Sequence, residues 1–320
     1  MLSDAETDAA LAAMQAGRGE RRFLVLGGTG NVGKHAVLAL AKGAEEVEEE
    51  AVKILVGSRT PDSFWSTYRH PPRCRAVVQP VRCDLSSPES VGAAVAAAAA
   101  SRVFLCLPQA LSAQQMEAVS NAAVDAAKAS GGVQRLVRVG SLGIDGDGPG
   151  QGPLGAAHVA SEEYCRAAGV ALSSVRPTSF HTNFLAYDAE SLRTEDLFRS
   201  PLGSEARVNW VHCADIGRVA AVLLLRPETD GRGDEVVEVT GPPEATLSAP
   251  EMAALLTEEL GRPIRYEEVA PPPVPEYAEL WAFLRAGGFG RATGTVEALT
   301  GNPALDFRAA VRENKEALEP

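Results

Sequence analysis

The segment Leu24-Val25-Leu26-Gly27-Gly28-Thr29-Gly30-Asn31-Val32-Gly33 constrains this chain more than any other stretch. An apolar run ends in a turn carrying glycines at 27, 28, 30 and 33, and a helical pattern over Val32–Ala41 follows at once. Glycine allows the tight turn and lets backbone N–H groups approach a pyrophosphate, while the helix N-terminus favours the negative charge. The motif gains meaning from its place between a strand and a helix, which is where this sequence puts it.

The rhythm continues. Short apolar runs recur at Phe23–Leu26, Val52–Val56, Ala76–Val81, Val103–Leu107, Arg135–Val139 and Ala171–Val175, with little polar alternation, as strands buried on both faces require. Helices between them carry start signals: Ser86-Ser87-Pro88-Glu89 and Ser112-Ala113-Gln114-Gln115 both fit the capping box, and Gly131-Gly132 closes the second. Six strands separated by helices imply an α/β protein with a doubly wound parallel sheet. After about residue 178 a loop-rich section follows. Then come an apolar helix at Ile216–Leu225 opened by Asp215, a late strand at Glu235–Val239, a capped helix after Ser248 and a stiff proline connector at 270–273. The expected organisation is an N-terminal helical extension over 1–21 and a dinucleotide-binding domain over 22–178, completed by a late strand at 235–240. A smaller substrate-binding or lid region covers 179–320.

The end of the second strand selects the cofactor. An acidic residue there would accept from a ribose 2′-OH and repel a 2′-phosphate. This chain has Val56-Gly57-Ser58-Arg59-Thr60, and its glutamates at 45–50 precede the strand. Arg59 suits the phosphate and the adenine face, with Ser58 adding a hydrogen bond, unless the arginine simply faces solvent. NADP(H) is favoured over NAD(H). Asp84 and Leu85 end the third strand, where the carboxylate either accepts from the adenine amino group or caps the next helix. Leu107-Pro108 ends the fourth, where the backbone would pass the ribose.

From about Arg22 to Leu318 the sequence resembles the atypical short-chain dehydrogenase/reductases of the NmrA-like group. The carriers are the loop Gly27–Gly33, Val137-Arg138-Val139-Gly140-Ser141-Leu142-Gly143 and His158-Val159-Ala160-Ser161-Glu162. Further on, Ser174-Val175-Arg176-Pro177-Thr178-Ser179-Phe180 with Asn183-Phe184, Val211–Gly217, and Gly301-Asn302-Pro303 through Phe307 complete the likeness. The resemblance implies a Rossmann fold binding NADP(H), with Gly27, Gly28, Thr29, Gly30, Asn31, Val32, Gly33 and Pro177 at the cofactor. It also implies either a reductase of quinones, enones or imines, or a regulator that binds dinucleotide without turnover.

Ordinary short-chain dehydrogenases use Tyr-xxx-Lys, in which lysine lowers the pKa of a tyrosine acid. No tyrosine of this chain has a lysine four residues on, and Lys34, Lys42, Lys53, Lys128 and Lys315 are its whole supply. His158 lies where the family motif replaces the tyrosine. An imidazole titrating near ~6.5 would donate a proton at neutral pH. Ser141 would bond the same oxygen, and Glu162, one turn on, would orient His158 or raise its pKa. Phe180, Asn183 and Phe184 would line the nicotinamide end, or the aromatics would serve the core. Tyr277, Trp281, Phe283 and Phe289 would pack or cover the substrate.

Charge excludes other classes. A net charge of −12 disfavours binding to nucleic acid or anionic membranes. The acidity is local: residues 228–320 hold eighteen acids and eight bases, so a cover built from them disfavours anionic acceptors. Five cysteines without a CxxC pair, and no apolar run of spanning length, suggest reduced thiols in a cytoplasmic protein. His181, His212 and Cys213 lack metal-ligand spacing, and no G-x-S-x-G elbow exists. The expected function is NADPH-dependent hydride transfer to a small apolar quinone, enone or carbonyl, with a non-catalytic NADP(H)-sensing module as the alternative.

Overall fold

A computed structural model describes residues 20–46, 51–64, 76–144, 151–226 and 233–320. The helical extension read over the N-terminus, apart from its last two residues, lies outside them, as do most of the glutamates at 45–50.

The first half alternates as its pattern requires: β1 (Arg21–Leu26), α1 (Gly33–Glu46), β2 (Val52–Ser58), β3 (Val77–Arg82), α2 (Pro88–Ala98), β4 (Arg102–Leu105), α3 (Ala113–Ser130), β5 (Arg135–Val139), α4 (Gly152–Ala168) and β6 (Leu172–Pro177). The chain then forms β7 (Ser179–Phe180), α5 (Thr182–Glu195), β8 (Leu197–Ser200), β9 (Val208–Val211), α6 (Cys213–Leu225) and β10 (Glu235–Val239). It ends with β11 (Thr246–Leu247), α7 (Ala249–Leu260), β12 (Arg265–Glu268), α8 (Pro275–Arg285), α9 (Thr295–Thr300), α10 (Phe307–Glu313) and α11 (Lys315–Leu318).

Seven parallel strands form the main sheet in the order β10-β6-β5-β4-β1-β2-β3. Strand order reverses between β1 and β4, and a crevice outside their carboxyl ends is where such sheets bind ligands. Both faces are dry. Phe23, Val25, Ile54 and Val56 meet α1 and α6 on one side; Leu24, Leu26, Leu55 and Leu105 meet α2 and α3 on the other. A third apolar cluster, built from Leu192, Phe198, Trp210, Met252, Phe289 and Phe307, forms the core of the C-terminal part.

Four expectations change. β3 is an edge strand with an alternating exposure pattern, and Val77 at its start is 58% exposed, so it is not buried on both faces. β4 ends at Leu105, two residues early. The section after 178 is not loop-rich, because α5 occupies fourteen residues of it. Finally α6 packs against α1 under the main sheet, so the chain returns to the first layer well before β10. Capping followed chemistry closely: Ser112 with Gln115 and Ser248 with Glu251 form reciprocal boxes. At α2 the cap is Ser87, one residue later than the sequence pattern implied, and it accepts from Ser90 N–H without a reciprocal box.

Candidate active site

The turn between β1 and α1 is built from close approaches. Gly27 adopts φ +87°, and a Cβ there would lie 2.2 Å from the carbonyl oxygen of Cys106, just past β4. A Cβ on Gly33 would lie 2.1 Å from the carbonyl oxygen of Gly27 and 2.6 Å from the Gly28 Cα. The turn is closed by Gly30 N–H donating to Gly27 at 3.0 Å and Lys34 N–H donating to Gly30 at 3.1 Å. Thr29, Gly30 and Asn31 are exposed at the carboxyl edge of the sheet, whereas Gly28, Val32 and Gly33 are buried beneath them. A fold that cannot hold a single extra carbon at these positions fits a pyrophosphate resting on backbone N–H groups.

At the end of β2, Ser58 is buried and its Oγ accepts from Thr60 N–H at 3.2 Å, while Arg59 is exposed. Arg82 pairs with Ser58 across the β2–β3 ladder and donates to the Arg59 carbonyl at 3.4 Å. Sequence reasoning missed Arg82; only the register between β2 and β3 reveals it. Two guanidinium groups and a hydroxyl with no carboxylate on the strand end suit a 2′-phosphate. Asp84 makes an Asx turn, accepting from Ser86 N–H at 2.9 Å and Ser86 Oγ–H at 2.7 Å, and does not cap α2. Those hydrogen bonds, helped by the charge of Arg59, hold its carboxyl below the usual range. Leu85 and Leu107 pack against the core of the α2/α3 face, and Pro108 is exposed beyond β4.

The end of β5 carries the proposed chemistry. Arg138 is 1% exposed, and its Nη1 lies 3.1 Å from His158 Nδ1 on α4. Arginine only donates, so Nδ1 accepts and the ring proton of the neutral imidazole sits on Nε2. Burial, then the charges of Arg138 and Arg176, pushes the His158 pKa down to about 3. The expectation of an imidazole titrating near its ordinary value is thereby corrected: at neutral pH His158 is an uncharged N–H donor. Glu162 does not orient it. Its carboxylate accepts from Arg176 at 2.7 and 3.1 Å, from Arg166 at 2.9 Å and from Ser174 Oγ. Burial opposes ionisation of Glu162, yet the bonds from Arg176 and Ser174 and the charges of Arg176 and Arg138 hold it below the usual carboxylate range. Ser141 follows β5 as expected, but its hydroxyl donates to Gln151 Oε1 at 2.6 Å, and Gln151 Nε2 donates to the Leu142 carbonyl.

Around this shelf the C-terminal elements close in. Phe184 is not at a pocket surface: it is 2% exposed and packs on Phe307 with ring centroids 5.0 Å apart. Phe180 at the end of β7 and Asn183 in the first turn of α5 are half-buried, and Pro177 is buried at the end of β6. Phe283 meets Phe289 edge to face at 5.1 Å and sits over Gly143, so α8 covers the loop that holds Ser141. Tyr277 donates to the Gln109 carbonyl at 3.3 Å, joining α8 to the segment after β4. Tyr164 lies elsewhere, exposed and bonded to Asp125 at 2.7 Å. Among the described residues no cluster of three or more His, Cys, Asp or Glu is arranged to hold a metal, and no helix is long and apolar enough to cross a membrane.

A parallel sheet with a glycine cradle at its switch point defines a Rossmann-type dinucleotide-binding subunit. The chain belongs to the NmrA-like family, whose model matches residues 19–277. It is 30% identical over 303 residues to the NAD(P)H azoreductase of Xenophilus azovorans, covering 89% of this chain and 95% of that protein. It is 32% identical over 215 residues to the (4-alkanoyl-5-oxo-2,5-dihydrofuran-3-yl)methyl phosphate reductase of Streptomyces griseus, covering 62% and 72% respectively. Among solved structures it resembles the NADPH-dependent quinone oxidoreductase QOR2 of Escherichia coli complexed with NADPH, with a TM-score of 0.71 and 18% identity over 91% of this chain and 99% of that one.

Proposed function

We propose that this protein is an NADP(H)-dependent oxidoreductase whose acceptor is a small, conjugated electrophile: a quinone, an enone or a carbonyl, with the azo group added by likeness to the Xenophilus enzyme. The observation that carries the reading is the neutral His158, held by Arg138 beside the carboxyl end of β5. When bound, the dihydronicotinamide supplies the hydride. This chain's own residues cradle the pyrophosphate on 27–33, hold the 2′-phosphate with Ser58, Arg59 and Arg82, and present an uncharged N–H to the acceptor oxygen or nitrogen. A conjugated acceptor spreads the charge that a hydride brings, so a hydrogen-bond donor suffices where a saturated ketone would need a stronger acid. Two of the curated relatives are named as reductases, which supports turnover, whereas a third is named a differentiation protein.

NADPH consumption with a panel of quinones, enones and azo dyes tests the reading; tight NADP(H) binding with no turnover of any acceptor would support the sensor instead. Arg59→Ala should weaken NADPH by about tenfold or more, the loss of a charge-assisted contact to phosphate, and leave NADH nearly unchanged. Equal losses for the two cofactors would remove the 2′-phosphate assignment.

His158→Ala should lower kcat about a hundredfold, and full activity would remove it from the mechanism. With a pKa depressed to about 3, the ring stays neutral as pH falls through its ordinary value, so kcat should show no histidine inflection from about pH 8 to 5. Arg138→Met takes away a donor and a charge, so the pKa should rise, while burial, the larger cause, keeps it below its ordinary value. A wild-type inflection near ~6.5 assigned to His158 would contradict the neutral-donor role.

A further inference from the structure

A cavity beside the glycine cradle takes no part in the site assigned so far. A space of about 290 Å³ lies where the N-termini of α1, α5 and α6 converge, walled by Lys34, His35, His181, Thr182, His212 and Glu313. It shares Asn31 with the glycine loop, whose Nδ2 reaches Thr182 Oγ1 at 3.5 Å, but none of the glycines of the cradle lines it. N-terminal residues of three helices of thirteen or fourteen residues line this space, α1 being shared with the glycine cradle, together with the Lys34 ammonium, and Glu313 and Asn314 at the C-terminal end of the short α10 close it.

His181 points to a ligand independently. Its ring is 1% exposed, neither nitrogen has a hydrogen-bond partner, and it stacks edge-on against His212 with centroids 3.9 Å apart. Folded proteins rarely bury a polar ring unpaired. The second ring is already oriented: His212 Nδ1 accepts from Ala214 N–H at 3.1 Å, so its proton is on Nε2, 3.0 Å from Glu313 Oε2. Burial pushes His35, His181 and His212 down to about 4, about 2 and about 4, so each ring is neutral and brings an N–H without adding to the charge of Lys34. A cation would be repelled by three helix N-termini and a lysine. A water would answer His181 and leave the rest of the field unused.

We infer that this cavity is an oxyanion site that takes a phosphate or sulfonate group carried by the electron acceptor, with His181 and His212 donating N–H bonds and Lys34 supplying the counter-charge. The oxyanion displaces Glu313 from His212, the single carboxylate on the wall. The acidic composition of the C-terminal stretch pointed to uncharged acceptors; at this cavity its contribution is one side chain already tied to an imidazole. The inference rests on the reductase reading only for the carrier of the group, and binding itself does not depend on turnover.

The test is a titration of the protein saturated with NADP+, so that the cofactor's own phosphate sites are filled, with inorganic phosphate and with phenyl phosphate. The ring-proton NMR signals of the histidines report binding. Saturable shifts of His181 and His212 are expected with both probes, phenyl phosphate binding more tightly. Lys34→Met should weaken both by about tenfold, as loss of a charged donor does, and Glu313→Gln should strengthen them. Shifts with inorganic phosphate but not with phenyl phosphate would overturn the acceptor-borne group in favour of a free ion. Signals that do not move, or that move equally in Lys34→Met, would overturn the site. Absence of turnover with every acceptor would sink the reductase reading and leave these shifts in place.

Discussion

Gly33→Val is expected to abolish measurable NADPH binding. The first carbon of the new side chain would fall 2.1 Å from the Gly27 carbonyl oxygen and 2.6 Å from the Gly28 Cα, and both obstacles are backbone. A flexible side chain could move aside; this turn cannot, because Gly27 is itself wedged against the Cys106 carbonyl with φ +87°. The loop must therefore shift by about an ångström, and a misplacement of that size in a positioned site costs about a hundredfold or more. Fluorescence titration of NADPH gives the Kd, and far-UV circular dichroism confirms that the sheet survives. A folded variant binding NADPH within a few-fold of the wild type would show that the cradle is not the cofactor site.

That loop was legible because its information is local: only residues 27–32 separate strand from helix, and Gly27 and Gly33 each have a steric reason. The same holds for the six apolar runs and for the Ser112 and Ser248 caps. What escaped reading is non-local. Arg82 reaches the Ser58 end of β2 only through the β2–β3 register, and β4 stops at Leu105, just before the Cys106 carbonyl that closes against Gly27. Helix α5 was missed because its buried face mixes Phe184 and Leu192 with Asp188 and Ser191, which blurs the apolar period. Asp188 accepts from Arg199 N–H at 3.1 Å, and burial pushes its pKa up to about 7, so at that position a carboxyl serves as part of the core.

The residues around His158 show the same limit more sharply. Helical spacing places His158 and Glu162 on one side of α4, and that spacing suggested a direct pair. The structure separates them by partner: His158 takes Arg138 from β5, and Glu162 takes Arg176 and Ser174 from β6. Two arginines inside a parallel sheet cannot be foreseen from periodicity, since the period only says that positions 138 and 176 face inward. Once they are there, their chemistry decides the rest. One carboxylate must balance them, and the imidazole beside them must remain neutral.

Glu162→Leu should accordingly be among the most destabilising single changes in the chain. Glu162 and Arg176 are 1% and 5% exposed, and the Arg138 guanidinium is buried close by. Truncating the carboxylate removes the charge that Arg176 and Arg138 face in the sheet, and breaking a buried pair from one side costs about 3–5 kcal/mol. The loss should appear as a lower midpoint in urea with an unchanged m-value, because the surface exposed on unfolding is the same. Acid should imitate it: a carboxyl held below its ordinary range stabilises the fold above the unfolded pKa, and that contribution disappears as pH falls through the folded one. The double variant Glu162→Leu with Arg176→Met separates charge from packing. Replacing both partners with apolar side chains should recover most of the loss, since an ion pair is worth little against a well-packed apolar pair, whereas removing one partner alone is costly. A double variant as unstable as Glu162→Leu alone would mean that Glu162 chiefly balances Arg138, and its restoration by Arg138→Met would then identify which arginine the carboxylate serves.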